Sequence, residues 1–214
     1  MPGRITPLVN GEFYHIYNRG SEKRSIYQQP RDYKRFQQTF YYYQFPGPKL
    51  RFSNFTKEDL FKTSFDPKIV EVISYCLMPN HFHFLIKQLK DNGISIFMSQ
   101  LSNSYTKYFN IRYKRVGPLL QGAFKAVRIE SQEQLIHVSR YIHLNPVVSG
   151  LTKKPEDYLW SSYLEYTQTN NLFCIPFEIL NLFSSREKYT QFVEDQIDYG
   201  TTLEFIKHHL VDED

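Results

Sequence analysis

Two histidines separated by one residue, His81 and His83, sit in the apolar segment that runs from Val72 to Ile86. In an extended strand alternate side chains share a face. Both imidazoles therefore point to one side, while Phe82, Phe84 and Ile86 point to the other, toward a core. Two imidazoles on a stiff strand offer a divalent cation two adjacent ligand positions. A cation held there polarises a phosphodiester and stabilises the oxygen that leaves it. Further along, Arg140-Tyr141-Ile142-His143-Leu144-Asn145-Pro146 supplies what such a site lacks. Tyr141 and Asn145 are four residues apart and share a helical face. A tyrosine hydroxyl attacks phosphorus to give a phosphotyrosine, which conserves the bond energy for rejoining. An amide oxygen one turn on adds a third metal donor. Imidazole and oxygen donors with open positions for phosphate suit Mg2+ or Mn2+. The plainer alternatives are an incidental His-x-His pair and a Tyr141 that only packs its helix onto a sheet. With 17 tyrosines in the chain, that second alternative stays open.

The elements that must position these groups can be read from hydrophobic periodicity. Residues 11–19 form a first strand, with Phe13, His15 and Tyr17 on one face. Residues 30–43 repeat Tyr33, Phe36, Phe40 and Tyr43 at helical spacing. A polar stretch runs to about Asp66 before a second strand over 69–77, and Met78-Pro79-Asn80 turns the chain into the histidine strand. Residues 93–113 read as a long helix and 122–130 as a fourth strand. Ser131-Gln132-Glu133-Gln134 is a capping box opening the helix that bears Tyr141, and Pro146 is expected to end or kink that helix. Beyond Gly150 comes a Pro-, Trp- and Tyr-rich connection, then short helices using Phe183, Tyr189, Phe192 and Val193 as contacts. Strand, helix, strand, strand, helix, strand is the order of a ferredoxin-like α+β fold, an antiparallel sheet with helices on one face.

Composition narrows the partner. The chain has 214 residues, 41% of them hydrophobic, enough for a buried core. Cys76 and Cys174 are too few for a disulfide framework or a cysteine zinc site, and Cys76 reads as a buried free thiol. No apolar run approaches the roughly 20 residues of a membrane span, and no signal peptide opens the chain, so a cytoplasmic location is expected. The net charge of +4 is unevenly spread. Residues 92–129 contain no acid but hold Lys107, Arg112, Lys114, Arg115, Lys125 and Arg128; Glu194 onward is strongly acidic. A basic body with an acidic tail points to a polyanion. Arg112, Lys114, Arg115, Gln121, Lys125 and Arg128, with Asn18 and Arg19 of the first turn, are the candidate nucleic-acid contacts. A solvated basic face is the competing reading for each. His15 is given no ligand role, and His137, His143, His208 and His209 read as surface or packing histidines.

Five ordered segments then carry a resemblance: YHIYNRG (14–20), SYCLMPNHFHFLI (74–86), NIRYKRVGPLLQGAFKA (110–126), RYIHLNPVVSGL (140–151) and DYLWSSYLEY (157–166). Together they resemble the REP-associated tyrosine transposases, a branch of the single-tyrosine HUH transposases. The resemblance implies a ferredoxin-like catalytic domain over residues 1–166 and a helical C-terminal extension over 167–214. It implies cutting and rejoining of single-stranded DNA beside a hairpin, with Mg2+ or Mn2+. Carried over by residue, His81 and His83 match the metal pair, Tyr141 the nucleophile, and Asn145 a polar position near a third ligand. It also implies a monomer rather than a homodimer. Ala123 stands where arginine is common in such sequences, and Ser21 where asparagine is frequent. Two other classes remain: a nucleic-acid-binding regulator on the same fold that does not cut, and a phosphoesterase that uses water in place of tyrosine.

Overall fold

The computed structural model describes residues 7–46, 67–168 and 173–197. The polar stretch before Asp66, the acidic residues past 197, and His208 and His209 lie outside them. Four strands, β1 (Phe13–Arg19), β2 (Val70–Met78), β3 (His81–Gln88) and β4 (Lys125–Ile129), form one sheet. Its order is β2-β3-β1-β4 and every neighbouring pair is antiparallel. With helices α1 (Pro30–Tyr43) and α2 (Gly93–Arg112) between strands, this is the ferredoxin-like α+β plan expected from the sequence. The histidine strand β3 is central, flanked by β1 and β2, so hydrogen bonds hold its backbone on both sides.

Strand alternation sorts the faces as expected. Phe82 and Phe84 meet Phe36 of α1, and Phe84 also meets Phe97 of α2. His81 and His83 face the other way. The helices, however, are not all on one face. Helix α3 (Gln132–Val148) lies over β2 and β3 on the histidine side, where Tyr141 reaches the rings of His83 and His15. The two helices of the expected plan, α1 and α2, form one layer, and the following helix α3 partly covers the opposite face. The repeating unit ends at β4, so periodicity does not say which face the following helix takes.

Helix α3 starts on the expected cap. Ser131 Oγ accepts from Gln134 N at 3.1 Å, while Gln134 Oε1 accepts from Glu130 N at 2.8 Å. Its end departs from expectation, because the helix runs through Pro146 to Val148. Pro146 lies in the last turn and so removes only its own bond to Ile142. The following turn closes through Ser149 N to Asn145 O at 3.0 Å and Leu151 N to Pro146 O at 2.9 Å. Asn145 is therefore still helical, one turn beyond Tyr141.

The C-terminal chain closes the free edge of β2. Leu77 N donates to Trp160 O, Ser162 N to Tyr75 O, and Ile175 N to Val72 O, each at 2.9 Å. Covering an edge this way blocks pairing with another strand. Short helices α4 (Tyr163–Thr167) and α5 (Phe177–Leu180) and helix α6 (Arg186–Glu194) follow. Tyr166, Ile179, Tyr189 and Val193 join the same buried cluster as Ile16 and Phe84. Phe183 and Phe192 pack against it. Among the described residues no helix is long and apolar enough to cross a membrane.

A buried polar chain fastens α3 from behind. His143 Nδ1 is 2.7 Å from the Tyr189 hydroxyl of α6, and His143 Nε2 is 2.8 Å from Ser162 Oγ. Tyr189 OH also lies 3.0 Å from Ser139 Oγ, and Ser162 Oγ accepts from Tyr75 N of β2 at 2.9 Å. Complete burial lowers the His143 pKa to about 3, so the ring is neutral and both nitrogens are used in hydrogen bonds. Tyr189→Phe removes the hydroxyl that serves His143 and Ser139. The expected cost is about 1–3 kcal/mol, the penalty for stranding a buried polar partner. It reads as a lower urea midpoint at unchanged slope.

Candidate active site

The faces of β1, β3 and α3 border an open cleft of about 780 Å³. His81, His83 and Tyr141 line it together. The sequence separates the histidines from the tyrosine; the fold brings their rings within 5.5 Å, the distance between the centroids of His83 and Tyr141. Tyr141 is 52% exposed, so its hydroxyl is open to a polymer entering from solvent. The imidazoles of His81 and His83 are 4.9 Å apart with planes at 89°.

Electrostatics favour ligation. His83 is only 6% exposed, and its pKa is held well below the usual range. Burial is the main cause, followed by repulsion from His15 and His81. The pKa of His81 is lowered by burial and then by Arg19, against a hydrogen bond with Asn145 that raises it. Both rings are thus neutral near pH 7, with lone pairs available. Nδ1 of His81 lies 2.7 Å from Asn80 Oδ1, a contact that leaves Nε2 unused by Asn80.

Asn145 comes together with the pair. Its side chain hydrogen-bonds His81, and its Nδ2 donates to Tyr141 O at 3.1 Å. Among the described residues, no three His, Cys, Asp or Glu side chains converge on one ion position. The residues therefore fit a divalent cation as two imidazoles and an amide, with the remaining positions left to substrate oxygens or water.

Of the eight candidate nucleic-acid residues, Asn18, Arg19, Gln121 and Lys125 line the cleft. Lys125 and Arg19 are exposed there, and Arg19 Nε donates to Gln121 Oε1. Asn18 is buried and braces the rim, accepting from Arg19 N at 2.8 Å and donating to Gly122 O at 3.2 Å. The neighbouring Gly20 has no room for a side chain: a Cβ there would meet Arg24 O at 2.2 Å. Arg112, Lys114, Arg115 and Arg128 do not line the cleft. Arg112 lies 3.6 Å from the buried Asp32, Arg115 donates to Asn110 Oδ1 at 2.9 Å, and Arg128 pairs with Glu12 at 3.2 Å.

The sequence also matches a family model. The model described as "Transposase IS200 like" matches residues 51–145, a span that ends on Asn145 and contains His81, His83 and Tyr141. Over that span the chain is similar to the IS200-like transposases. Among curated proteins none matches. A solved structure described as a REP-associated tyrosine transposase bound to a REP hairpin superposes with a TM-score of 0.55 at 14% identity. The alignment covers 86% of this chain and 96% of that one, and at this identity it speaks to the fold. The fold thus stands as the sequence led one to expect, and the family match agrees with the resemblance to transposases read there.

Four residues at or beside the cleft escape sequence reasoning: His15, Tyr17, Lys23 and Asn80. Tyr17, Lys23 and Asn80 line the cleft, and His15 Nε2 sits 2.9 Å from His83 Nδ1. The alternation of β1 does put His15 and Tyr17 on one face. Only the register, with Tyr17 opposite His83, makes that the histidine face. Among the candidate cations, Lys125 offers a direct test. Lys125→Ala should lower the slope of log affinity against log salt for single-stranded DNA by about 1, while Arg112→Ala leaves it unchanged. Filter binding across a salt series measures both.

Proposed function

We propose that this chain is a metal-dependent, single-strand DNA nicking and joining enzyme that works through a 5′-phosphotyrosine at Tyr141, beside a DNA hairpin. The observation that carries the reading is the placement of an exposed Tyr141 beside the neutral pair His81 and His83 of its own chain. In the forward step Tyr141 Oη bonds to phosphorus and the bond from phosphorus to the 3′ oxygen breaks. The tyrosine proton passes to solvent and the 3′ oxygen takes one up. Attack by a 3′ hydroxyl reverses the step and rejoins a strand without external energy. His81, His83 and Asn145 would hold Mg2+ or Mn2+, which supplies charge neutralisation at the scissile phosphate. Arg19, Lys23 and Lys125 draw in the DNA backbone, and the open cleft admits an unpaired strand.

The hairpin follows from the solved neighbour, which is described as bound to one. The covered edge of β2 and the buried contacts behind α3 support a monomer using Tyr141 in cis. The test is incubation with end-labelled, hairpin-flanked single-stranded DNA in Mg2+ or Mn2+, resolved on denaturing gels. With 3′-labelled DNA a protein-linked label is expected, and with 5′-labelled DNA a released fragment that ends in a free 3′ hydroxyl. Cleavage that yields only free 5′ phosphate would point to water as the nucleophile, and binding without cleavage to a regulator.

A further inference from the structure

We infer that His15 is a positioning residue: it accepts the Nδ1 proton of His83 and so fixes the tautomer in which His83 presents a bare Nε2 to a cation. The inference rests on the metal-dependent reading above. Strand β1 runs antiparallel to β3 with His15 opposite Leu85 and Tyr17 opposite His83, which sets His15 diagonal to His83 on the same face. The two rings stack with centroids 5.1 Å apart and planes 22° apart. Nε2 of His15 lies 2.9 Å from Nδ1 of His83.

A neutral imidazole carries one N–H and one lone pair. Two neutral rings joined nitrogen to nitrogen therefore share a single proton between them. A metal ligand must keep its lone pair on the outer nitrogen. Only one assignment meets both conditions: the shared proton sits on His83 Nδ1, His15 accepts it at Nε2, and His83 Nε2 is bare. With the roles reversed, His83 would carry its proton on Nε2 and its ligating position would be blocked.

His81 follows the same plan, with Asn80 Oδ1 2.7 Å from its Nδ1. Each histidine of the pair thus has its own acceptor on the Nδ1 side, one from the preceding turn and one from the neighbouring strand. Partners of this kind orient a ligating ring and raise its basicity. His15 does not serve as a third ligand, because His15, His81 and His83 do not converge on one ion position. Its Nε2 is also already turned to His83. The Tyr141 ring stands edge-on to both His15 and His83, at 5.8 and 5.5 Å. A substitution that keeps a ring at position 15 therefore keeps the wall against which the nucleophile packs.

Two variants separate acceptor from bulk. His15→Phe keeps the ring and removes the acceptor, and His15→Gln returns an acceptor near the Nε2 position. Mn2+ binding to DNA-free protein is read from the EPR signal of free Mn2+, and the tautomer of His83 from its imidazole nitrogen shifts. In His15→Phe the Mn2+ affinity should fall about 10–100-fold, with His15→Gln within about threefold of wild type. His83 should carry its proton on Nδ1 in wild type and His15→Gln, and on Nε2 in His15→Phe. Equal Mn2+ affinity in wild type and His15→Phe, or a wild-type His83 protonated on Nε2, overturns the inference while leaving the metal reading intact. A wild-type protein that takes up no Mn2+ overturns the metal reading, and the inference with it. Should His15→Phe fold poorly, the wild-type imidazole spectrum decides.

Discussion

Tyr141→Phe eliminates the covalent protein–DNA adduct, with a fall of at least about a thousandfold, and leaves hairpin DNA binding within a few-fold of wild type. Phenylalanine keeps the edge-on packing against His15 and His83 and removes only the attacking oxygen. The controls matter because the chain is rich in tyrosine. Tyr105 is buried and donates to Ile26 O at 2.6 Å. Tyr108 and Tyr113 donate to Asp32 at 2.8 and 2.6 Å, and burial pushes the Tyr108 hydroxyl up to about 12. The structure offers a stronger rival in Tyr17, which lines the same cleft with its ring 5.8 Å from that of His83. Tyr17→Phe should retain the adduct. An adduct that survives in Tyr141→Phe and disappears in Tyr17→Phe would move the nucleophile from the helix to the strand.

His81→Ala, and separately His83→Ala, should lower cleavage in Mg2+ or Mn2+ by about a thousandfold. Loss of the several kcal/mol that a bound cation contributes at the phosphate, at 1.36 kcal/mol per decade, gives that scale. DNA binding in EDTA should persist, because Arg19, Lys23 and Lys125 are untouched. His81→Ala is the cleaner variant. His83 is almost fully buried between His15 and Tyr141, so its removal also opens a cavity beside Tyr141. Wild-type cleavage at equal rates with and without EDTA would remove the metal from the mechanism.

The order of elements and the alternation within each strand were legible in the chain itself. Phe82 and Phe84 point to a core and His81 and His83 away from it because side-chain direction in a strand is a local property. The spacing of Tyr141 and Asn145 on one helical face was legible for the same reason, as was the Ser131 cap. Pro146 misled because the cost of proline depends on how many residues of helix follow it. Two do, and the next turn closes through Asn145 and Pro146 carbonyls.

What lay beyond the sequence is what depends on register and on packing at long range. Which face of β1 meets the histidines is set by the pairing of Tyr17 with His83, and that pairing alone brings His15 to His81 and His83. The division of the basic residues is likewise tertiary. Lys125 and Arg19 end at the cleft, whereas Arg112 and Arg128 turn back to Asp32 and Glu12. No local pattern distinguishes the two sets, because a cation's partner is fixed by whatever acid the fold carries near it. The candidate residues were thus legible in residue types and short spacings. The geometry that joins them, and the buried chain from Tyr189 through His143 to Ser162 that fastens the helix of Tyr141, was decided only when distant segments packed together.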